Sequence, residues 1–305
     1  MTTLLQQILN GIMLGATIGL IALGYTMVYG IIQLINFAHG EIFMVGAFGG
    51  LAMHRFVLPD GLKTNGWISL LLMMVGGVLV AVLIAVLMER FAYRPLRNAP
   101  RLAPLITALG VSVALQEAMR IWFPDASANQ PFPRVVLDHQ IVIGSLKIPA
   151  SGLLLLVVAI ALALGLQAYV SKSRMGRAMR ATSMDRDTAR LMGVNPDRVI
   201  VLTFVIGAVL AGVAGVLYGN YLQAVDVRIG FQTGIFAFTA AVLGGIGSLK
   251  GAVIGAFIIG MIKTLAGQYM PGGTRYDYVW IFVALILVLV FRPQGLFGEP
   301  EKVRA

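Results

Sequence analysis

The chain has 305 residues, of which 58% are apolar and 12% charged, and its mean hydropathy of +0.87 is too high for a water-soluble globular domain. It contains no cysteine, which excludes a disulfide framework and a thiolate metal site. A formal charge of +10 sits in loops between apolar runs and is not interleaved with exposed aromatics, a pattern of membrane orientation rather than nucleic-acid binding.

Apolar runs recur at about 5–30, 40–53, 67–88, 102–122, 151–170, 199–221, 233–247, 251–267 and 277–291. A membrane helix needs about 20 apolar residues, so the chain is read as all-α and polytopic, with about eight transmembrane helices in one domain over 1–305. A β-barrel would show shorter, alternating segments. The first run opens MTTLLQQILNG, with no Lys or Arg ahead of it and no small-residue cleavage site, and reads as a retained span. Gly11, Gly15 and Gly19 form a stripe along it that lets another helix approach closely, and Gly215 and Gly219 repeat the spacing later.

The stretch IIQLINFAHGEIFMVGAFGG (31–50) sets Asn36, His39 and Glu41 among glycines and apolar residues. Asn36 stands where an N-cap is expected for a short helix over 40–53. Glu41, about a turn and a half later, would gain from the positive end of that helix. An ionisable residue in a membrane helix is costly and faces the bundle interior or water. Glu41 is therefore a candidate for gating or coupling as well as for capping and packing, with direct ligand contact a third option. A metal site is not expected, because His54 and His139 fall in segments on the opposite side.

Arg90, Arg94, Arg97 and Arg101 crowd 88–101, and Lys172, Arg174, Arg177, Arg180, Arg186, Arg190 and Arg198 crowd 171–198, so both loops are expected in the cytoplasm. Glu41 then lies near the cytoplasmic end, and 54–66, 123–150 and the N-terminus lie outside. Glu117 and Arg120 read as a pair neutralising one another on one helix face. The tail, with Arg292, Lys302 and Arg304, falls inside if 233–267 makes two short segments dipping in and back; a single crossing there would place it outside.

Within 171–198, Ser183 or Asp185 can cap a short helix that Gly193 and Pro196 terminate. Met184, Thr188, Leu191 and Met192 give it a small apolar face edged by Asp185, Arg186, Asp187 and Arg190. Having no core of its own, this helix lies on the membrane or docks into another protein, and its aspartates would be repelled by an anionic membrane surface.

Residues 240–257, AAVLGGIGSLKGAVIGAF, interrupt an apolar region with Gly244, Gly245, Gly247, Ser248, Lys250 and Gly251, leaving two halves that each read as shorter than a span. Together with 40–53 this makes a pair of glycine-broken segments, one in each half of the chain. Such a pair points to a transport pathway, with Asn36, His39, Glu41, Gly244, Gly245 and Gly247 as candidates for its lining or gate. Close packing by small residues accounts for the same glycines.

No G-x-x-x-x-G-K-[ST] phosphate loop occurs, since GAFIIGMIKT (255–264) misplaces Lys263 relative to Gly260. Neither a catalytic set nor a cofactor is expected, and a chain that pumps must draw on ATP hydrolysis by another polypeptide. Few ionisable residues fall at mid-span, which disfavours a self-sufficient ion-coupled transporter.

Four stretches in order, NFAHGE (36–41), GRAMRATSMDRDTARLMGV (176–194), LGGIGSLKGAVIGA (243–256) and RPQGLFG (292–298), carry a resemblance over nearly the whole chain. The chain resembles the permease subunits of branched-chain amino acid ABC importers, of the LivH type. The resemblance implies one transmembrane permease domain of an ATP-driven importer in the bacterial inner membrane. Implied partners are a second permease of the LivM type, two cytoplasmic ABC ATPase subunits, and a periplasmic binding protein that supplies leucine, isoleucine or valine; lipid surrounds the chain and no nucleic acid is involved. It also implies that the loop carrying Asp185, Asp187, Ala189, Leu191, Gly193 and Asn195 is a coupling helix seated in the ATPase.

Overall fold

The computed structural model describes residues 2–33, 36–97, 99–100, 102–126 and 128–298, so Arg101, Lys302 and Arg304 lie outside the described residues. The long helix α1 (Thr2–Ile32) is followed by a short α2 (His39–Ala52), extended by a π-helical turn, Met53–Val57, and by the single turn α3 (Asp60–Lys63). Next come α4 (Gly66–Met88), also extended by a π-helical turn to Tyr93, and α5 (Leu102–Trp122). A connecting segment holds β1 (Gln130–Pro131), β2 (Gln140–Ile143) and β3 (Leu146–Pro149), after which α6 (Ala150–Lys172) leads into α7 (Arg174–Met184) and α8 (Arg186–Leu191). The chain continues through α9 (Pro196–Leu222), β4 (Ala224–Val225), α10 (Ile229–Gly244), α11 (Leu249–Tyr269) and α12 (Asp277–Phe291). β2 and β3 form an antiparallel hairpin, and β1 pairs antiparallel with β4, joining two otherwise distant connections.

Among the described residues, seven helices are long and apolar enough to cross a membrane: α1, α4, α5, α6, α9, α11 and α12. The shorter α2 and α10 complete an all-α polytopic body. Burial divides these helices into two layers. α1 and α9 are 89% and 67% buried over their most apolar windows, whereas α5, α6 and α12 are 17%, 17% and 11% buried. A helix that is apolar all round belongs either in a core or in lipid, and here the inner layer takes the first role and the outer layer the second. α2 sits at the centre, with every residue from His39 to Leu51 buried.

Small residues set the spacing of this core. A Cβ on Gly15 would stand 2.9 Å from the Phe257 Cα, so the stripe read on α1 is where α11 crosses it. The glycines do not break α2 or α11. α11 runs unbroken over 21 residues, so the second half of 233–267 is a full span and only α10 is short, a correction to the sequence reading. The cause lies in the neighbours: Gly255 and Gly260 stay helical because backbone of α10 and α1 occupies the space a side chain would need.

All the arginines described in 88–97 and 174–198, together with α7, α8 and the last described residues, gather at one end of the bundle, called here the basic end. The tail closes onto this end, where the Leu296 and Phe297 N–H groups donate to the Leu243 and Gly244 carbonyls at 2.9 Å each. α10 descends to the basic end, α11 returns and α12 descends again, so the last described residues lie at the basic end, with one short helix and one full span in 233–267 rather than either arrangement weighed from the sequence.

Candidate functional site

Two features carry functional side chains: a buried polar cluster at the start of α2, and the α7–α8 unit at the basic end.

The N-cap of α2 is Ala38, which makes no side-chain capping bond, and not Asn36 as expected. The Asn36 carbonyl accepts the His39 N–H at 3.0 Å, and this turn directs the Asn36 side chain away from the helix to the Tyr93 hydroxyl, which donates to Oδ1 at 2.7 Å. His39 is buried edge-on against Tyr25, with ring centroids 5.0 Å apart, and neither ring nitrogen has a hydrogen-bond partner. Its imidazole fills space left by Gly24 and Gly207, so its contacts are packing contacts.

Glu41 is fully buried, and its Oε1 accepts hydrogen bonds from the Ser112 hydroxyl at 2.8 Å and from the Gln116 amide at 2.9 Å. Both donors lie on α5, with Ser112 halfway along it, so Glu41 sits at mid-span and not near the cytoplasmic end as the topology suggested. Oε2 has no hydrogen-bond partner and faces Gly230 in the first turn of α10. The first turns of α2 and α10 pack directly, since a Cβ on Gly40 would stand 2.7 Å from the Gly234 Cα. The two short helices come from opposite ends of the bundle and bring the positive ends of their dipoles to one carboxylate. Among the described residues, no group of three or more His, Cys, Asp or Glu could hold a metal.

Gly244, Gly245 and Gly247 do not join this cluster. They form the α10–α11 turn at the basic end, with φ of +106° at Gly245 and +96° at Gly247. Their neighbour Ile246 lines a small cavity with Tyr25, Tyr29 and Asn36, which is how the turn approaches the polar cluster.

At the basic end, Asp185 caps α8 by accepting the Asp187 and Thr188 N–H groups at 2.9 and 3.3 Å. The helix ends in a Schellman motif: the Val194 N–H donates to the Ala189 carbonyl, the Gly193 N–H donates to the Arg190 carbonyl, and Gly193 has φ +81°. Asn195 then caps α9, accepting the Arg198 N–H at 3.2 Å, with Pro196 in the first turn. Asp185, Gly193 and Asn195 therefore shape the unit. Ala189 is 3% exposed and anchors it to the body, whereas Leu191 is 88% exposed and stands out with Met184 and Met192. Asp187 is exposed beside Arg190, 3.7 Å away. Arg186 donates to the Ile32 carbonyl at 2.7 Å, tying α8 to the negative end of α1. Burial, with Arg97 and Arg190 nearby, lowers its pKa from the usual arginine value.

Sequence reading missed two groups. Ser112 and Gln116 are a polar i,i+4 pair inside a span, a signal in its own right. In the second, Arg97 bridges Glu89 at the foot of α4 and Asp197 in the first turn of α9, with Arg94 3.4 Å from Asp197. A cleft of about 340 Å³ separates this ionic cluster from Arg186, Asp187 and Arg190. The expected Glu117–Arg120 pair is present at 2.8 Å, partly exposed on α5.

Among the described residues, a body of seven apolar helices around a buried polar cluster, with an exposed helical unit at one end, is that of a polytopic membrane protein. The family described as the permease component of branched-chain amino acid transport systems matches residues 7–289. The chain is 44% identical over 302 residues to the high-affinity branched-chain amino acid transport permease LivH of Escherichia coli K12, covering 97% of this chain and 96% of that one. It is 42% identical over 306 residues to BraD of Pseudomonas aeruginosa, again covering 97% and 96%. The chain belongs to this family of multi-pass membrane proteins, described as permease components of branched-chain amino acid transport systems. A chain in the structure of PsaBC from Streptococcus pneumoniae in complex with Fab shares the fold alone, with a TM-score of 0.51, 12% identity and coverage of 94% and 92%.

Proposed function

We propose that this chain acts as one transmembrane permease domain in a bacterial inner-membrane importer of branched-chain amino acids. ATP is hydrolysed by two cytoplasmic ATPase subunits, a periplasmic binding protein delivers the substrate, and a related permease of the LivM type completes the pathway. The α7–α8 unit, within 171–198, receives the ATPase stroke. The observation that carries this reading is α8 itself: a helix fixed at both ends by Asp185 and Gly193, anchored by Ala189, and holding Leu191 and Met192 out in water. An apolar tip on a rigid mount suits docking into another protein. From α8, motion reaches α1 through Arg186 and Ile32, and α9 through Asn195. α2 and α10, packed at Glu41, then open or close the pathway.

Co-purification with the ATPase subunits tests the docking role. A Leu191→Asp chain is expected to insert normally and to lose the ATPases, because an exposed side chain has little folded-state role. Undiminished association sinks the assignment. ATP-dependent uptake by vesicles holding the whole assembly tests the importer; uptake driven by a proton gradient through this chain alone refutes it.

A further inference from the structure

α6 and α11 both pack on α1 and leave a groove between them. Near the middle of α1 the groove is apolar, about 120 Å³ in volume, and lined by residues that include Gly15, Gly19, Ala159, Ala163, Val253 and Phe257. On the following turns toward the basic end, the same three helices line a second, more polar cavity of about 390 Å³, closed by α7. The only charged side chains lining it are Arg180 and Lys250, and neither forms an ion pair among the described residues. Ser171, Ser183 and Gln167 add polar groups at its rim. Deeper in, Thr26 lines the cavity while only 2% exposed, and its hydroxyl has no hydrogen-bond partner. A buried hydroxyl without a partner is costly, and one in the same cavity as two cations that lack a carboxylate among the described residues, Arg180 donating only to the Val170 carbonyl, points to an acceptor-rich anion.

We propose that this groove binds one anionic phospholipid, with the headgroup phosphate at Arg180 and Lys250 and an acyl chain along the apolar stretch between α6 and α11. Three observations converge on a lipid. The cationic cavity lies at the basic end, where headgroups of the positively flanked leaflet are found. The apolar cavity lies above it on the same helices, at the depth of hydrocarbon. Its wholly apolar lining beside the helix stripe Gly15 and Gly19 suits a hydrocarbon chain lying along the groove. The inference needs only membrane residence and is independent of the import mechanism proposed above.

The test uses the full chain in detergent, incubated with phosphatidylglycerol or phosphatidylcholine, with bound lipid counted by native mass spectrometry. One phosphatidylglycerol is expected to be retained in preference to phosphatidylcholine. An Arg180→Ala/Lys250→Ala variant is expected to lose about 25-fold in that retention, about fivefold for each cation. Ala163→Leu fills the apolar groove while leaving both cations in place, and it also is expected to weaken retention. Equal retention of the two lipids, or no effect of the double substitution, overturns the headgroup site. Displacement by millimolar inorganic phosphate marks a site for the free ion and overturns the lipid assignment. An unchanged Ala163→Leu variant removes the acyl seat. Since the chain contains no cysteine, Ala163→Cys introduces a single one, and its cross-linking to the second permease in the assembled transporter identifies the groove as a subunit contact instead.

Discussion

The Ser112 hydroxyl donates to the Glu41 carboxylate at 2.8 Å, although 71 positions separate the two residues in the chain. This bond and its Gln116 counterpart join the most buried short helix to a weakly buried outer one. Buried stretches of α5 are limited to Pro104, Ala108 and Ser112, so these hydrogen bonds supply much of what holds its middle to the body. Ser112→Ala is expected to cost about 1–2 kcal/mol, the loss of a buried hydrogen bond that leaves Glu41 with one donor fewer, read as a lower melting temperature in detergent. Glu41→Gln keeps an oxygen for α5 but turns an amide toward the first turn of α10, where N–H groups favour an anion. Uptake is expected to fall at normal expression; unchanged uptake removes Glu41 from gating.

The α2–α10 crossing leaves no room for a methyl group on Gly40, which meets the Gly230 carbonyl and the Gly234 Cα. Backbone cannot move aside as a side chain does. Gly40→Ala is expected to destabilise by about 1–3 kcal/mol, whereas Gly110→Ala, with nothing within 4 Å, is expected to be neutral or stabilising. Yield of monodisperse protein and thermal melting distinguish the two.

Arg97→Gln is expected to destabilise the basic end by about 3 kcal/mol, because the Glu89 side chain, 2% exposed, would be left without its cation. Adding Glu89→Gln removes the orphaned charge and is expected to recover part of the loss. A double-mutant cycle on thermal unfolding reads the coupling directly.

The two ends of α8 separate shape from contact. At Gly193 a Cβ meets nothing within 4 Å, yet φ is +81°, so Gly193→Ala is expected to cost about 1 kcal/mol through backbone strain alone. Asp185→Ala is expected to cost a similar amount by removing a cap, about 1 kcal/mol. Both are expected to weaken ATPase association through fraying of α8, and both to be partly rescued by lower temperature, unlike Leu191→Asp. Association measured at two temperatures checks this.

The sequence carried the local information well. Asp185, one of the two caps offered for α8, the stop at Gly193 and the outward Leu191 follow from side-chain chemistry within a few residues of where each acts, whereas the Asn195 cap of α9 was not read. Asn36 was misread because its own carbonyl closes a turn before the helix begins, so the position that looks like a cap lies outside it. Glu41 was placed too near the cytoplasm because counting spans gives no depth to a helix whose first turn starts inside the bundle. The Glu89–Arg97–Asp197 cluster could not be read either: its arginines also satisfy the rule for cytoplasmic loops, and Asp197 lies 100 positions away. Ser112 and Gln116 were legible in principle as polar residues one turn apart in a span, but their partner was not.

The tail at 292–298 has a consequence for how the chain is built. The last carbonyls of a membrane helix need partners, and those of Leu243 and Gly244 find theirs in the N–H groups of Leu296 and Phe297. α10 and α11 can leave the insertion machinery as a hairpin, but the lower edge of that hairpin stays unpaired until α12 has crossed and residues 296–297 have been synthesised. The order of synthesis thus makes closure of the basic end a late event, and damage to RPQGLFG is a defect in completing assembly rather than in inserting helices.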